Sequence, residues 1–407
     1  MHRTLWYLSD LKSYENTDEN DDSVNHVKTI ILNGHNHVPP PIIPLENQNR
    51  TSGFDSSMEL PTKSKSAPLE GVDLNIRWSN TIPNPIALGK LKNLTYFDGS
   101  YLNLIELPKE IGNLSALTEL RLQFNKLNAL PTEIGNLTEL THLDLHGNLF
   151  EEFPKEICNF KKLLYLHIDQ NKITKMPKEI GQLESLTALM IYNNELTELP
   201  KEIGQLEKLT HLSIFRNKLT TIPAEIGNLK ELYELSASHN NIREIPKEIG
   251  NLKKLERLYI NSNEIRILPN EIYECVKLDV FECNKNQLKR LPILPPKIRV
   301  LSFHNNQIEI MPDLNNSIKM MYFIQNPLKI YPFHIFGIDE YSMDTIIRIV
   351  NGVNKLRKLY YGKKCFHRIL LHLLHKRWKN KPLFREIIEH ACHPKRIIQM
   401  LEYEAEL

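Results

Sequence analysis

The stretch LTELRLQFNKLNALPTEIGNLTE, residues 117–139, returns along the chain at constant spacing. Its proline recurs every 23 residues from Pro108 to Pro292, and Pro312 and Pro332 follow at steps of 20. A fixed period of about 20–29 residues predicts a solenoid in which each copy packs on its neighbours.

The first part of each copy predicts a short β-strand followed by a turn. In Leu120-Arg121-Leu122 the two leucines would face the core, and Arg121 would point outward. Stacked copies would then form a parallel sheet along the inner curve. The side-chain amide of Asn125 can bond backbone groups of its own coil and the next one, and losing such a partner typically costs about 1–3 kcal/mol. The predicted asparagine ladder comprises Asn125, Asn148, Asn171, Asn194, Asn217, Asn240, Asn263, Asn286, Asn306 and Asn326.

The second part of each copy, LPKEIGNL at residues 107–114, predicts the outer wall of a coil. Pro108 suits the first position of a helical turn, and Glu110 favours the positive end of that turn. Ile111 and Leu114 lie three residues apart and would share one buried face. Gly112 permits tight packing of the return segment. These roles are structural, and no catalytic role is predicted for Glu110.

Written as LxxLxLxxNxLxxLPxxIxxLxx, the unit resembles the leucine-rich repeat. The match is to the intracellular subgroup of Ras-pathway scaffolds, scribble-like polarity proteins and plant Ras-group-related repeats. It covers residues 94–337, in eight copies of 23 residues and three of 20. The short copies, such as IRVLSFHNNQIEIMPDLNNS, resemble repeats of secreted bacterial effectors. The resemblance implies an α/β fold, a curved solenoid with a concave parallel sheet and short helical turns on its convex side.

The two ends of the chain depart from this pattern. Residues 72–93 predict a degenerate coil that caps the amino end, since Leu74 and Leu88 stand 23 residues before Phe97 and Ile111. Residues 9–26 and 46–70 are polar, so residues 1–71 are expected to be largely flexible, although residues 27–32 can form a strand. Helical spacing over residues 338–407 predicts a basic helical cap. Its tail is similar to segments of uncharacterised proteins from giant DNA viruses, which indicates a source and no function.

Composition bears on location and on partners. The net charge of +2 hides a segment, residues 345–385, with twelve Lys or Arg and no acid. The five cysteines lack metal-ligand spacing and predict a reducing compartment. The chain starts without an apolar core of signal-peptide length and has no run of roughly 18 apolar residues. We therefore predict a cytoplasmic protein, in the host cytoplasm if it is viral.

The outward positions of the strands are the candidate binding residues. A phosphate loop, a GxSxG elbow, an HExxH motif and paired cysteine ligands are missing from the sequence, which predicts a non-enzyme without cofactor or metal. Copies three to eight are rich in histidine and aromatic residues, which are favoured at binding hot spots. The predicted partner-binding residues are Arg121, His142, Asp144, His146, Tyr165, His167, Asp169, Tyr192, His211, Phe215, Arg216, His239 and Tyr259.

Four of these residues should form a compact polar group. Neighbouring strands are about 4.8 Å apart, so Asp144 should lie beside His167, and His146 beside Asp169. Such a square can in principle hold a divalent metal or carry out acid-base chemistry. On an open sheet, a hydrogen-bonded polar patch is the favoured interpretation.

Three classes of function follow. The first is a scaffold that binds a protein on its concave face, with GTPases or phosphatases implied by the Ras-scaffold resemblance. The second is nucleic-acid or anionic-membrane binding through the basic segment between Lys355 and Arg385. The third, least favoured, is a ubiquitin ligase like some bacterial effectors; those enzymes carry a larger catalytic domain, whereas Cys365 here lies in the basic context Lys-Lys-Cys-Phe-His.

Overall fold

The computed structural model describes residues 5–6, 29–31, 85–328 and 351. Within them, thirteen parallel strands form one sheet whose spatial order is the chain order. The strands are β1 (Leu5–Trp6), β2 (Thr29–Ile31), β3 (Tyr96–Asp98), β4 (Glu119–Arg121), β5 (His142–Asp144), β6 (Tyr165–His167), β7 (Ala188–Met190), β8 (His211–Ser213), β9 (Glu234–Ser236), β10 (Arg257–Tyr259), β11 (Val280–Glu282), β12 (Val300–Ser302) and β13 (Met320–Tyr322). The predicted solenoid with a parallel sheet is confirmed.

The coils stack in strict register. Leu143 of β5 pairs with Leu166 of β6, and Leu166 pairs with Leu189 of β7. The central residue of these strands is buried while its neighbours are largely half-buried, because side chains alternate between core and surface. One apolar core runs from Leu88 to Leu328. Each fully buried leucine or isoleucine contributes roughly 1.5–3 kcal/mol, so the core stabilises the whole stack.

The amino end of the sheet is formed by β2, which pairs with β3 through Thr29 to Tyr96 and Ile30 to Phe97. The strand predicted within residues 27–32 is therefore confirmed, and its place is beside the first full copy. A short helix, α1 (Pro85–Gly89), lies within the predicted capping coil. The strand expected around Leu74 lies outside the described residues, and the domain boundaries stay predictions.

Short 3-10 helices form the convex wall of the 23-residue coils. They are Lys109–Asn113, Thr132–Asn136, Lys155–Asn159, Lys178–Gln182, Lys201–Gln205, Ala224–Asn228, Lys247–Asn251 and Asn270–Glu274. Ile111 and Leu114 are both buried, as predicted. Pro108, predicted at the first helical position, instead precedes the turn with extended backbone, φ −69° and ψ 146°. The reason is that a 3-10 turn opens with the proline carbonyl, which accepts from the Ile111 N–H at 3.1 Å.

Glycine on the convex wall is required where two coils come closest. A Cβ at Gly112 would lie 2.2 Å from the Glu133 carbonyl oxygen. Gly135 is different, because the next coil has Cys158 in place of glycine, and a Cβ there would meet only the Asn159 amide nitrogen at 3.0 Å. The wall is therefore looser between these two coils.

The carboxyl end of the described solenoid holds the three shorter coils. After β11, the described convex segments lack a 3-10 helix, which accounts for the shorter period. Asn351, a helical residue, accepts a hydrogen bond from the Leu314 N–H (2.8 Å) and donates one to the Leu314 carbonyl (2.7 Å). The rest of the predicted helical cap lies outside the described residues. In the described part of the chain, no helix has the length and apolar character needed to cross a bilayer.

Candidate binding face on the concave sheet

The asparagine ladder fixes the positions of the concave side chains. Nδ2 of Asn194 donates to the carbonyls of Ile191 (3.3 Å) and Ile168 (3.1 Å), and its Oδ1 accepts from the Ile173 N–H (2.9 Å). Ile168 and Ile173 belong to the preceding coil, so the amide reaches backward, whereas the sequence led us to expect the next coil. The other ladder residues make equivalent bonds: Asn125, Asn148, Asn171, Asn217, Asn240, Asn263, Asn286, Asn306 and Asn326.

Arg121 is largely engaged within the protein. Its guanidinium bonds the Glu119 carboxylate at 2.7 Å and lies over the Tyr96 ring, 5.4 Å from the ring centroid. The side chain is 13% exposed. Although Arg121 is paired in register with Asp144, its charge is directed toward Glu119. It therefore offers a partner little of its guanidinium.

Two histidines on the face share one local arrangement. The Thr141 hydroxyl donates to the Thr118 carbonyl (2.9 Å), so the 2.8 Å contact between Thr141 Oγ1 and His142 requires His142 Nδ1–H as the donor. The same pattern holds for Thr210 and His211. Burial lowers the pKa of both histidines, with a further lowering of the His211 pKa by Arg257. Both rings therefore favour the neutral form, with Nε2 left as an acceptor.

The predicted polar group is present, with a different pairing. Asp144 and His167 are register partners, as expected. The Asp144 carboxylate, however, accepts its hydrogen bonds from His146 of the same coil: one from Nδ1–H (2.9 Å) and one from the backbone N–H (3.1 Å). Burial alone would lower the pKa of His146. The hydrogen bond and charge of Asp144, together with the charge of Asp169, outweigh burial, so the pKa of His146 is raised. Burial alone would raise the Asp144 pKa, yet the bonds and charge of His146 and the charge of His167 lower it. The group is a hydrogen-bonded Asp144–His146 pair, ionic when His146 is protonated, with Asp169 and His167 beside it.

Asp169 lies beneath the surface. The residue is 2% exposed, and its carboxylate accepts a hydrogen bond from the Tyr192 hydroxyl. Burial raises the pKa of Asp169, while the charges of His146 and His167 and the Tyr192 bond act against that rise. Asp169 was predicted to contact a partner directly. In the structure Asp169 has little accessible surface, and its carboxyl group is the hydrogen-bond acceptor of the Tyr192 hydroxyl.

Stacked rings dominate the middle of the face. Tyr192 and Phe215, on adjacent coils, have ring centroids 4.4 Å apart and an interplanar angle of 9°. His142 and Tyr165 stack with centroids 4.7 Å apart. Tyr192, Phe215 and Tyr165 are half-buried, so part of each side chain is accessible. Aromatic pairs of this kind provide binding area with little loss of conformational freedom on binding.

Toward the carboxyl end the face becomes more polar. Arg216 and His239 are exposed, and burial and the charges of Arg216 and Lys285 lower the His239 pKa. Arg257 bonds the Glu234 carboxylate at 3.4 Å. Tyr259, on the same strand as Arg257, is half-buried, and burial raises its pKa to about 12.

The sequence prediction omits two rings, Tyr101 and Phe124. Each is 39% exposed, and the two are stacked with centroids 4.7 Å apart. The edge of Phe124 also meets the His146 ring, with centroids 4.4 Å apart. Phe124 immediately precedes the ladder residue Asn125, a position at which Arg216 and His239 were recognised. Applying that position to every copy would have found Phe124.

The His, Cys, Asp and Glu side chains that the structure describes can be examined for metal-ligand geometry. Among the residues that the structure describes, no group of three or more His, Cys, Asp or Glu side chains is placed to hold a metal ion. Cys158, Cys275 and Cys283 are free and buried, and burial raises the pKa of Cys158 and Cys275 to about 12. These thiols are therefore poor nucleophiles near neutral pH.

Comparison with known proteins agrees with this architecture. A family model described as a leucine-rich repeat region matches residues 151–241, and a leucine-rich repeat model matches residues 139–160. A solved leucine-rich repeat protein of Leptospira interrogans is 31% identical, with a TM-score of 0.52, over 62% of this chain and 77% of that one. The chain is a leucine-rich repeat protein.

Two further structures have the same fold. The leucine-rich repeat protein is 26% identical to a TDR receptor, with a TM-score of 0.51, over 59% of this chain and 44% of the receptor. It is 21% identical to the functional domain of InlJ from Listeria monocytogenes, with a TM-score of 0.51, over 60% and 52% of the two chains. A search of curated protein sequences gives no match.

Proposed function

We propose that this leucine-rich repeat protein is a non-enzymatic scaffold whose concave face binds a protein or peptide partner. The observation that carries the proposal is the pair of stacked rings, Tyr192 and Phe215, at the centre of the described arc. The ladder amides and the core hold the coils without these rings, which leaves them free to contact a partner.

The size of the face suits this role. The eleven coils of the predicted repeat span an arc of about 50 Å at the spacing of parallel strands. A standard interface buries about 800 Å² on each partner, which such an arc can supply. Leucine-rich repeats are commonly protein-interaction modules, and one of the similar structures is a receptor.

Three finer predictions stay proposals. A signalling role with a GTPase or a phosphatase as partner rests on the Ras-group resemblance. A cytoplasmic location rests on the cysteine pattern. Binding of nucleic acid or anionic lipid by residues 345–385 rests on the twelve Lys and Arg residues of that segment. Asn351 is the one residue of the segment that the structure describes.

The test uses the full chain to select ligands from a displayed peptide library, followed by affinity measurement on the parent protein and on a Tyr192→Ala, Phe215→Ala variant. We expect the double variant to lose at least about tenfold in affinity, since interface aromatics commonly contribute more than 1.4 kcal/mol. Tyr273→Ala is the matched control, because Tyr273 is 45% exposed on the convex wall. Undiminished binding by the double variant, near the dissociation constant and with unchanged circular dichroism, would rule out the concave-face assignment.

A further inference from the structure

Asp144 has an unusual electrostatic position on the concave face. Its side chain is 23% exposed. Among the described residues, no lysine or arginine forms an ion pair with Asp144 or Asp169, since the adjacent Arg121 is bonded to Glu119. One imidazole, His146, is the hydrogen-bonded partner of Asp144 and also faces Asp169. The site thus holds two carboxylates and two imidazoles, since His167 is the register partner of Asp144 and its charge acts on both acids.

Aromatic rings adjoin His146, the hydrogen-bonded partner of the Asp144 carboxylate. Burial is the largest cause of the raised pKa of Tyr101, and the charge of Asp144 adds to it. At Tyr192 burial is again the largest cause of the raised pKa, followed by the charge and hydrogen bond of Asp169. Phe124 stacks on Tyr101 and meets His146 edge-on. Aromatic faces beside a carboxylate attract cations, and a planar guanidinium can stack on a ring while it bonds a carboxylate.

Two further features adjoin the Phe124 ring. Among the described residues, Gln123 Oε1 is the one buried side-chain oxygen or nitrogen without a hydrogen-bond partner, and Gln123 is the residue before Phe124. Gly147 gives the Phe124 ring its room, because a Cβ there would lie 2.7 Å from Phe124 Cδ1. Other coils place non-glycine residues at this left-handed position, including Gln170 and Arg216, so backbone conformation alone does not require Gly147.

We propose that the concave face recognises an arginine side chain of its partner at a patch formed by Tyr101, Phe124, Asp144 and His146. The guanidinium bonds the Asp144 carboxylate and lies against the Phe124 or Tyr101 ring. This inference rests on the proposed function and specifies the chemistry of the partner at that same face. It requires the cation to come from outside the described solenoid, since Arg121 is already committed to Glu119.

The probe is N-acetyl-arginine amide, compared with N-acetyl-citrulline amide, which has nearly the same shape and no charge. The full chain carries isotope-labelled histidine, and the His146 ring signal is assigned by its loss in His146→Gln. We expect saturable shifts of that signal, with the arginine probe binding at least about tenfold tighter than the citrulline probe. The bound cation should also lower the pH midpoint at which His146 titrates, given that Asp144 and Asp169 are the acids that face it.

Two variants separate the proposed contact from general charge effects. Asp144→Asn should remove the preference for arginine over citrulline. Glu282→Gln is the matched control, because Glu282 holds the equivalent strand position on β11 and bonds Asn261 at 2.9 Å, and it should retain the preference. Equal binding of the two probes to the parent chain, or a preference that survives Asp144→Asn, would overturn the arginine site.

The outcomes also separate this inference from the proposed function. If displayed peptides bind through Tyr192 and Phe215 while the arginine probe shows no preference, the scaffold role stands and the arginine site is wrong. If the probe binds through Asp144 but no displayed ligand depends on the two rings, the arginine site stands and the scaffold proposal fails.

Discussion

The amide of Asn194 holds the carbonyl oxygen of Ile168, one coil earlier, at 3.1 Å, and its Oδ1 accepts from the Ile173 N–H of the same coil. Replacing Asn194 by alanine leaves buried backbone groups of two coils without partners. We expect Asn194→Ala to lower the free energy of unfolding by about 1–3 kcal/mol. Chemical denaturation measures this. Glu202→Ala and Asn251→Ala, both on the convex wall, are the controls, and equal midpoints for all three variants would mean that the ladder has been misinterpreted.

Convex-wall glycines should differ in their tolerance of alanine. A Cβ at Gly204 would lie 2.4 Å from the Glu225 carbonyl oxygen, so two backbones must separate. We expect Gly204→Ala to cost about 1–3 kcal/mol, as overpacking does. Gly135→Ala should stay within about 0.5 kcal/mol of the parent, because only the movable Asn159 amide lies near its Cβ. Thermal and urea unfolding of the two variants check this, and a loss at Gly135 equal to that at Gly204 would contradict the looser wall beside Cys158.

The His146 pair predicts a definite pH dependence of stability. The pKa of His146 is raised in the folded chain, so its stabilising contribution is complete below the unfolded pKa of about 6.5 and is lost as the pH rises through the folded value. The pKa of Asp144 is lowered in the folded chain, so its contribution to stability is complete above the unfolded pKa of about 3.9. That contribution is lost as the pH falls through the folded pKa. The stability difference between the parent and His146→Gln should therefore shrink as the pH rises toward neutral. Denaturation between about pH 5 and pH 8 measures it.

His239 supplies a control of opposite sign. Burial, Arg216 and Lys285 lower its pKa, so its neutral form is favoured on folding and any stabilisation is lost as the pH falls. The stability difference between the parent and His239→Gln should change with pH in the reverse direction. Identical slopes for the two variants would show that the Asp144 contact has no effect on the titration of His146.

The basic segment can be tested separately from the concave face. Reversing Lys376, Arg377 and Lys379 to glutamate should abolish binding to single-stranded DNA or to vesicles that contain phosphatidylserine, and should flatten its salt dependence. Ligands of the concave face should bind as before. Fluorescence anisotropy and vesicle sedimentation, each over a salt series, measure the effect. Unchanged binding to both polyanions would exclude this segment as their site.

The coil geometry was predictable because every copy repeats the same physical requirements. Spacing alone predicted that Asp144 lies beside His167 and that Ile111 and Leu114 are buried on one face. The pairing of Arg121 with Glu119 and the burial of Asp169 under Tyr192 were not predictable, because they depend on rotamers that a neighbouring coil selects. The backward direction of the ladder depends on the turn that follows each strand, which the repeat pattern does not specify.

The ladder amides bond only main-chain N–H and carbonyl groups. The stacking of the coils therefore does not depend on which side chains the strands present on the concave face. Asn148 and Asn240 make the same kinds of contact in coils whose strands present very different residues. Mutation can therefore alter recognition one coil at a time while the architecture persists. Such a chain can diverge rapidly in specificity, and the exchange of outward residues between two coils offers a route to engineered recognition.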